Sequence, residues 1–204
     1  MSIDGFVGGP NGEMSWLFKS MSESGKAWIK DTLAGAGLHI MGSKTFYDMI
    51  AYWPYSHDLL AAPMNDIPKA VFTKRGLSEQ GKTTRAITDT AAADEAKGVQ
   101  LAKASNALVS WKNAIALGGD MAEEIKQLKV EDGDYILAHG GADFAQNLIA
   151  TGLVDEFRLV IHPVMLGSGL PIFSKLPGFM DVELISATTF ESGVVAAVYR
   201  PKSV

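Results

Sequence analysis

"LAHGGADFAQNLI", Leu137 to Ile149, is the stretch on which the reading of this chain turns. An apolar run stops at Gly140 and Gly141, and a helical pattern follows at once, with Phe144, Leu148 and Ile149 on one side and Gly152 as its stop. Two adjacent glycines cost conformational entropy, so the position needs a backbone shape, or a closeness of approach, that a side chain would prevent. A helix N-terminus offers unpaired backbone N–H groups and the positive end of its dipole, so a pyrophosphate fits beside Gly140 and Gly141. Turn geometry alone accounts for the same glycines, and from this stretch both readings stay open.

Two further apolar runs end in the same way. "GLHIMG" (37–42) leads into "SKTFYDMI", so Gly42, Ser43, Lys44 and Thr45 open a helix with hydroxyls and an ammonium that suit phosphate oxygens. The spacing Gly37, Gly42, Lys44, Thr45 nearly spells a P-loop. It fails because Ser43 separates Gly42 from Lys44 and because "LHIM" is strand material rather than a phosphate-wrapping loop. "KAVFTKRG" (69–76) ends in Thr73, Lys74 and Arg75, cations and a hydroxyl without a carboxylate. A ribose with free hydroxyls is usually held by an acid, whereas a 2′-phosphate takes cations. "TKR" alone also reads as a solvated turn; with the other two ends it gives the pattern of NADPH lying across strand ends.

"DYILAHGG" (134–141), "EFRLVIHPVML" (156–166) and "VVAAVYRP" (194–201) complete the strand-like runs. Helical patterns lie between them: "SESGKAWIKDTLAGAG" with Trp28, Ile29 and Leu33, and "GDMAEEIKQLKV" with Asp120 and Glu123 at capping-box spacing. Alternating strands and helices indicate an α/β domain on a mostly parallel sheet, flanked by helices, with antiparallel strands at the C-terminus. The 204 residues suffice for one domain, and residues 76–107, rich in Ala, Thr and charge, read as a surface insertion. A net charge of -5 argues against nucleic acid, and no apolar run is long enough to span a membrane. The chain has no Cys and its N-terminus lacks the pattern of a secretion signal, so a cytoplasmic location without thiolate metal sites is expected.

With these residues in place, the chain resembles the reductase superfamily of the dihydrofolate reductase fold, in the branch of the C-terminal reductase domain of bacterial riboflavin biosynthesis proteins. The likeness rests on "MSIDGFVGGPNGEMSW", "MGSKTFYDM", "AVFTKRG", "LAHGGADFAQNLIATGLVDEFRLVIHPVMLGSGLPIF" and "SGVVAAVYRP". It implies NADPH as hydride donor to a C=N or C=O group of a small, heteroaromatic or carbonyl substrate. It assigns Gly140, Gly141, Ala142, Asp143 and Phe144 to the pyrophosphate turn, Ser43, Lys44 and Thr45, next to Gly42, to the neighbouring phosphates, and Thr73, Lys74 and Arg75 to the 2′-phosphate. Classical dihydrofolate reductases commonly carry Arg where Ser43 stands, which implies weaker cofactor binding or a shift of that duty to Lys44. Trp16 matches an aromatic that lies by the cofactor. The branch often forms homodimers through C-terminal strands, and residues 164–173 are the expected contribution here.

Three departures bear on the substrate and the chain start. His139 stands where riboflavin-pathway reductases tend to have a substrate-facing Glu. No H-x-E with a paired C-x-x-C accompanies the chain, so zinc-dependent deamination is not expected. Only Met1 precedes Ser2, where relatives have a strand's worth of residues. Dihydrofolate is disfavoured, since Asp31 is the only carboxylate near the position used by classical enzymes.

Asp4, at the end of the expected first strand, could orient a substrate or relay a proton, or could brace the turn at Gly5. His139 could donate a proton from a pKa near neutrality, or be a buried strand-end imidazole. Trp53, beside Pro54, could wall a substrate ring or simply pack locally. The competing functions are a protein that holds NADPH without turnover and, last, a phosphotransferase. No metal is expected.

Overall fold

Two of the four strands of the main sheet are marked as central by their burial. The structure, a computed structural model, describes residues 1–77 and 101–202, the side chains of 101–106 excepted. The chain divides into two compact units, Ala27–Phe144 and Met1–Lys26 with Ala145–Val204.

In the first unit, β1 (Ala36–Gly42) buries Ala36, His39, Ile40 and Met41, and β2 (Lys69–Phe72) buries Lys69, Ala70 and Val71. Consecutive buried residues are what a parallel strand covered on both faces requires. With β3 (Ile115–Leu117) and β4 (Tyr135–Ala138) they form a parallel sheet in the order β3-β2-β1-β4. The register aligns Gly42 with Phe72, Phe72 with Leu117, and Ile40 with Ala138. Helices α2 (Glu23–Ala34) and α3 (Ser43–Ile50) match the expected patterns, α4 (Ala61–Asp66) and α5 (Leu101–Lys112) add to them, and α6 (Met121–Lys129) matches again. Leu33, Met41, Phe46, Met64, Val71 and Trp111 make the core.

In the second unit, β5 (Phe157–Ile161), β6 (Val182–Thr189) and β7 (Val195–Pro201) form an antiparallel sheet in the order β5-β7-β6. Phe157, Val194, Ala196, Ala197 and Val198 are buried there. Helix α1 (Ser15–Lys19) belongs to this unit, and α7 (Ala142–Ala150) follows β4. The parallel sheet and the antiparallel C-terminal strands are thus both present.

The structure also corrects the sequence reading. No first strand forms: Ser2 makes one isolated bridge to His162, and Asp4 enters a turn at Gly5, whose φ of 86° suits glycine. Strand β2 ends at Phe72, and "TKRG" is a turn in which the Thr73 hydroxyl donates to the Gly76 carbonyl and accepts from the Arg75 N–H. Strands β3 and β6 are not signalled by the sequence, the first because three residues carry no period, the second because "VELISATT" mixes apolar and polar residues without alternation and all eight are exposed. Residues 78–100 of the expected insertion lie outside the described residues; 101–107 belong to α5, whose Trp111 is in the core.

Candidate functional site

The chain goes from β1 to β2 to β3 on one side of the sheet and then returns to β4 on the other side of β1. That makes the gap between β1 and β4 a topological switch point, where the connections leaving two neighbouring parallel strands diverge and open a crevice at their C-terminal ends. Both glycine turns stand there. The His139 N–H donates to the Ile40 carbonyl at 2.8 Å, which carries the pairing up to the residue before Gly140. The Gly141 N–H then donates to Thr45 Oγ1 at 2.6 Å and joins the turn after β4 to the first turn of α3. The Gly140–Gly141 peptide is cis.

Each glycine has its own reason. A Cβ on Gly42 would lie 3.1 Å from Phe144 Cβ, and one on Gly141 would lie 3.1 Å from Thr45 Oγ1, so these two keep the turns closely packed. A Cβ on Gly140 would meet nothing within 4 Å. Space is therefore left beside the backbone at Gly140.

Four strand ends lie along this edge, and they differ in how their backbone groups are satisfied. After β3, Gly118 and Gly119 lead to Asp120, whose carboxylate accepts from the Ala122 and Glu123 N–H groups, while Glu124 accepts from the Gly119 N–H. That helix start is filled by its own acids. After β1, Gly42 is extended and gives α3 no side-chain cap, and the first turn of α3 holds no acidic residue. Its N–H groups and the dipole end stay available to an anion. Helix α7 is intermediate, with Asp143 in its first turn.

The other expected residues fall into place around this edge or away from it. Thr73, Lys74 and Arg75 follow Phe72, the register partner of Gly42, and Lys74 and Arg75 are exposed. Phe144 packs its ring 5.3 Å from that of Phe72. Lys44 pairs with Asp48 at 3.0 Å one helical turn on, so its charge is shared with a carboxylate. Trp53 packs against the core, and its carbonyl accepts from Asn65 Nδ2 at 2.9 Å.

Asp4 and Trp16 belong to the other unit. The Asp4 carboxylate accepts from the Leu166 and Gly167 N–H groups, the latter at 2.7 Å, and the Ser2 hydroxyl and these N–H groups hold its pKa below the ordinary value. It braces the loop after β5 as an anion. Trp16 donates from Nε1 to the Glu13 carbonyl and meets the His162 ring edge-on at 5.6 Å.

His139 departs from expectation. The residue is half-buried, but its Nε2 is sealed from solvent with no hydrogen-bond partner, and burial pushes its pKa down to about 3. A proton donor poised near neutrality is therefore not what this imidazole provides. Its ring instead stands edge-on to His39, centroids 4.6 Å apart. His39 is wholly buried in β1, and one His inside an apolar run carries no pattern that would signal it from sequence. No group of three or more His, Asp or Glu residues is arranged for a metal among the described residues.

Residues 1–196 match the model of the RibD C-terminal domain. The chain belongs to the RibD C-terminal domain family. Within reach of this RibD-type chain is the uncharacterized protein YyaP of Bacillus subtilis (strain 168), 29% identical over 200 residues that cover 98% of this chain and 90% of YyaP. A Shewanella sp. PV-4 protein assigned provisionally to riboflavin biosynthesis superposes with a TM-score of 0.67 at 17% identity, covering 100% of this chain and 96% of the other. The Thermotoga maritima diaminohydroxyphosphoribosylaminopyrimidine deaminase/5-amino-6-(5-phosphoribosylamino)uracil reductase superposes with a TM-score of 0.64 at 14% identity over 98% of this chain and 54% of its own. The fold is accordingly that of the RibD-type, dihydrofolate reductase-like domains. No helix among the described residues is long and apolar enough to cross a membrane.

Proposed function

We propose that the protein is an NADPH-dependent reductase that delivers hydride to a C=N or C=O carbon of a small substrate. One observation carries the reading: two glycine turns, joined by the Gly141–Thr45 hydrogen bond, stand side by side at the switch point between β1 and β4, next to an uncapped helix start. Membership of the RibD C-terminal domain family supports the reductase class.

The residues present fit the cofactor. The open space at Gly140 and the free start of α3 suit the pyrophosphate, and Lys74 with Arg75 suit a 2′-phosphate. When bound, NADPH supplies the hydride; the chain's part is to hold and orient. Ser43 and Thr45 offer hydroxyls to phosphate oxygens. Because its Oγ1 already accepts from the Gly141 N–H, Thr45 keeps its own hydroxyl hydrogen to give. Neither Asp4 nor His139 is arranged as a proton donor: the first is a braced anion and the second a sealed neutral imidazole. That arrangement favours one second reading, a protein that holds NADPH without turnover.

Titration with NADPH and NADH, followed by Trp fluorescence and energy transfer to the reduced nicotinamide, tests the proposal. Saturable binding that strongly prefers NADPH is expected, and binding of neither overturns it. Oxidation of bound NADPH by any member of a panel of imines, carbonyls and pterins then separates the reductase from the holder.

A second copy of the chain is the proposed partner. Strand β6 lies at the edge of its sheet with all eight residues exposed, among them Val182, Leu184 and Ile185. Such an edge is a template for strand addition, and its single charge, Glu183, limits repulsion between copies. A dimer by light scattering that Leu184→Lys dissociates is expected; a monomeric wild type overturns this.

A further inference from the structure

Wholly buried His39 and half-buried His139 form a pair with one unpartnered ring nitrogen on each. His39 Nδ1 and His139 Nε2 are both sealed from solvent with no partner, although His39 Nε2 meets the Leu33 carbonyl at 3.3 Å. Buried polar atoms without partners weaken a fold, and two apolar rings in the same places would pack without that penalty. The chain keeps the imidazoles at a particular spot. His139 is the last residue before Gly140, and its N–H is the last described link from β4 to β1. His39 lies in β1 opposite Leu137, two residues before His139.

We propose that His39 and His139 are positioning residues for the Gly140–Gly141 turn, and that they hold it only while both rings are uncharged. The inference rests on the cofactor reading for its consequence, but not for its test. The charged or titratable groups facing the pair come from three strands. His39 comes from β1, His139 from β4, and Lys69, the register partner of His39, from β2. Lys69 is almost wholly buried, with its Nζ donating to the Ile67 carbonyl at 2.5 Å and to Ser110 Oγ at 2.7 Å. Burial pushes the Lys69 ammonium down to about 7, against the opposing charge of Asp66, so Lys69 is charged throughout the acid range. From α2 comes only a carbonyl, that of Leu33.

A proton added to either imidazole thus finds no carboxylate, a second ring at 4.6 Å and an ammonium close by. Burial, chiefly, sets His39 at about 4, and burial followed by the neighbouring His39 and Lys69 sets His139 at about 3. Both folded values lie below the ordinary imidazole value, so the pair is neutral near pH 7 and its neutral form is lost as pH falls through those values. Charging forces the rings apart, and the segment tied to His139 is the glycine turn. The acid limb of ligand binding then belongs to this pair and not to a catalytic carboxylate.

The Gly141 N–H, held by Thr45 Oγ1, reports the turn without any cofactor. Its resonance in the 15N-labelled full chain is followed from about pH 7.5 to about pH 2.5, below both folded values, with circular dichroism at each step. In the wild type, the Gly141 signal is expected to move while the dichroism is still native. In the double variant His39→Phe with His139→Phe, the movement is expected to vanish over the same range. The inference is overturned if the double variant moves as the wild type does, if the wild-type signal stays fixed while the ring protons titrate, or if it moves only together with unfolding. Should the double variant not fold, His39→Phe alone must shift the midpoint by at least half a pH unit, and an unchanged midpoint overturns the inference. Binding of NADH, which lacks a titrating 2′-phosphate, is measured in parallel. If the wild type binds no nicotinamide nucleotide at any pH, the cofactor reading fails while the Gly141 result still decides this one.

Discussion

Helices α3 and α6 start at the same edge of the same parallel sheet, and their first turns are built in opposite ways. Asp120 fills the start of α6 with its own carboxylate, and Glu124 takes the N–H of Gly119. The start of α3 after Gly42 has no side-chain cap and no acid in its first turn. A cap is worth about 1 kcal/mol to a helix, so an uncapped start gives up that stability. The teaching is that glycines at a strand end do not mark an anion site by themselves. At the start of α3 no acidic side chain occupies the place that Asp120 fills in α6.

The largest effect expected from this contrast concerns the cations beside the open turn. Lys74→Ala with Arg75→Ala should weaken NADPH by about tenfold to a hundredfold, the range for lost charge-assisted hydrogen bonds, and leave NADH almost unchanged. Equal loss for both nucleotides in a fluorescence titration would make "TKR" a surface turn and leave the open end without its second phosphate. Next is Gly140→Ala, which puts a methyl into the free space beside the turn. Loss of about tenfold in NADPH affinity is expected, since one charge-assisted contact is worth roughly that much. The melting temperature should barely change, and unaltered affinity would show that nothing approaches Gly140.

At the filled turn, Asp120→Ala should lower stability by about 1 kcal/mol in urea unfolding and leave nucleotide affinity as it was. A clear drop in affinity with this variant would break the contrast, because it would place ligand at both starts. The smallest effect sharpens it. Asp143 lies in the first turn of α7, where a bound pyrophosphate would face it, so Asp143→Asn should raise NADPH affinity by about twofold, in line with one charge near a helix end. Calorimetric titration resolves a change of that size.

The candidate site was legible where chemistry and chain order coincide. Gly42 to Thr45 and Gly140 to Gly141 declared themselves because apolar runs gave way to glycine and then to helical spacing. The end of β3 is not legible because three residues cannot show a period, and β6 is not because its eight exposed residues follow no inward pattern. Asp4 was readable as a turn residue, yet its partners, the N–H groups of Leu166 and Gly167, lie far along the chain. Trp53 meets Asn65 and a core drawn from several elements, contacts that "YWPYSH" alone does not show.

By itself the sequence determined the α/β class, the two glycine turns, the cationic end of β2 and the cap of α6, since each depends on residues close together and on local backbone chemistry. Only the tertiary structure decided that the two glycine turns are neighbours, through the order β3-β2-β1-β4, and that Thr45 ties them. It also decided that His139 is sealed against His39, because burial and pairing belong to strands that meet only when the sheet assembles.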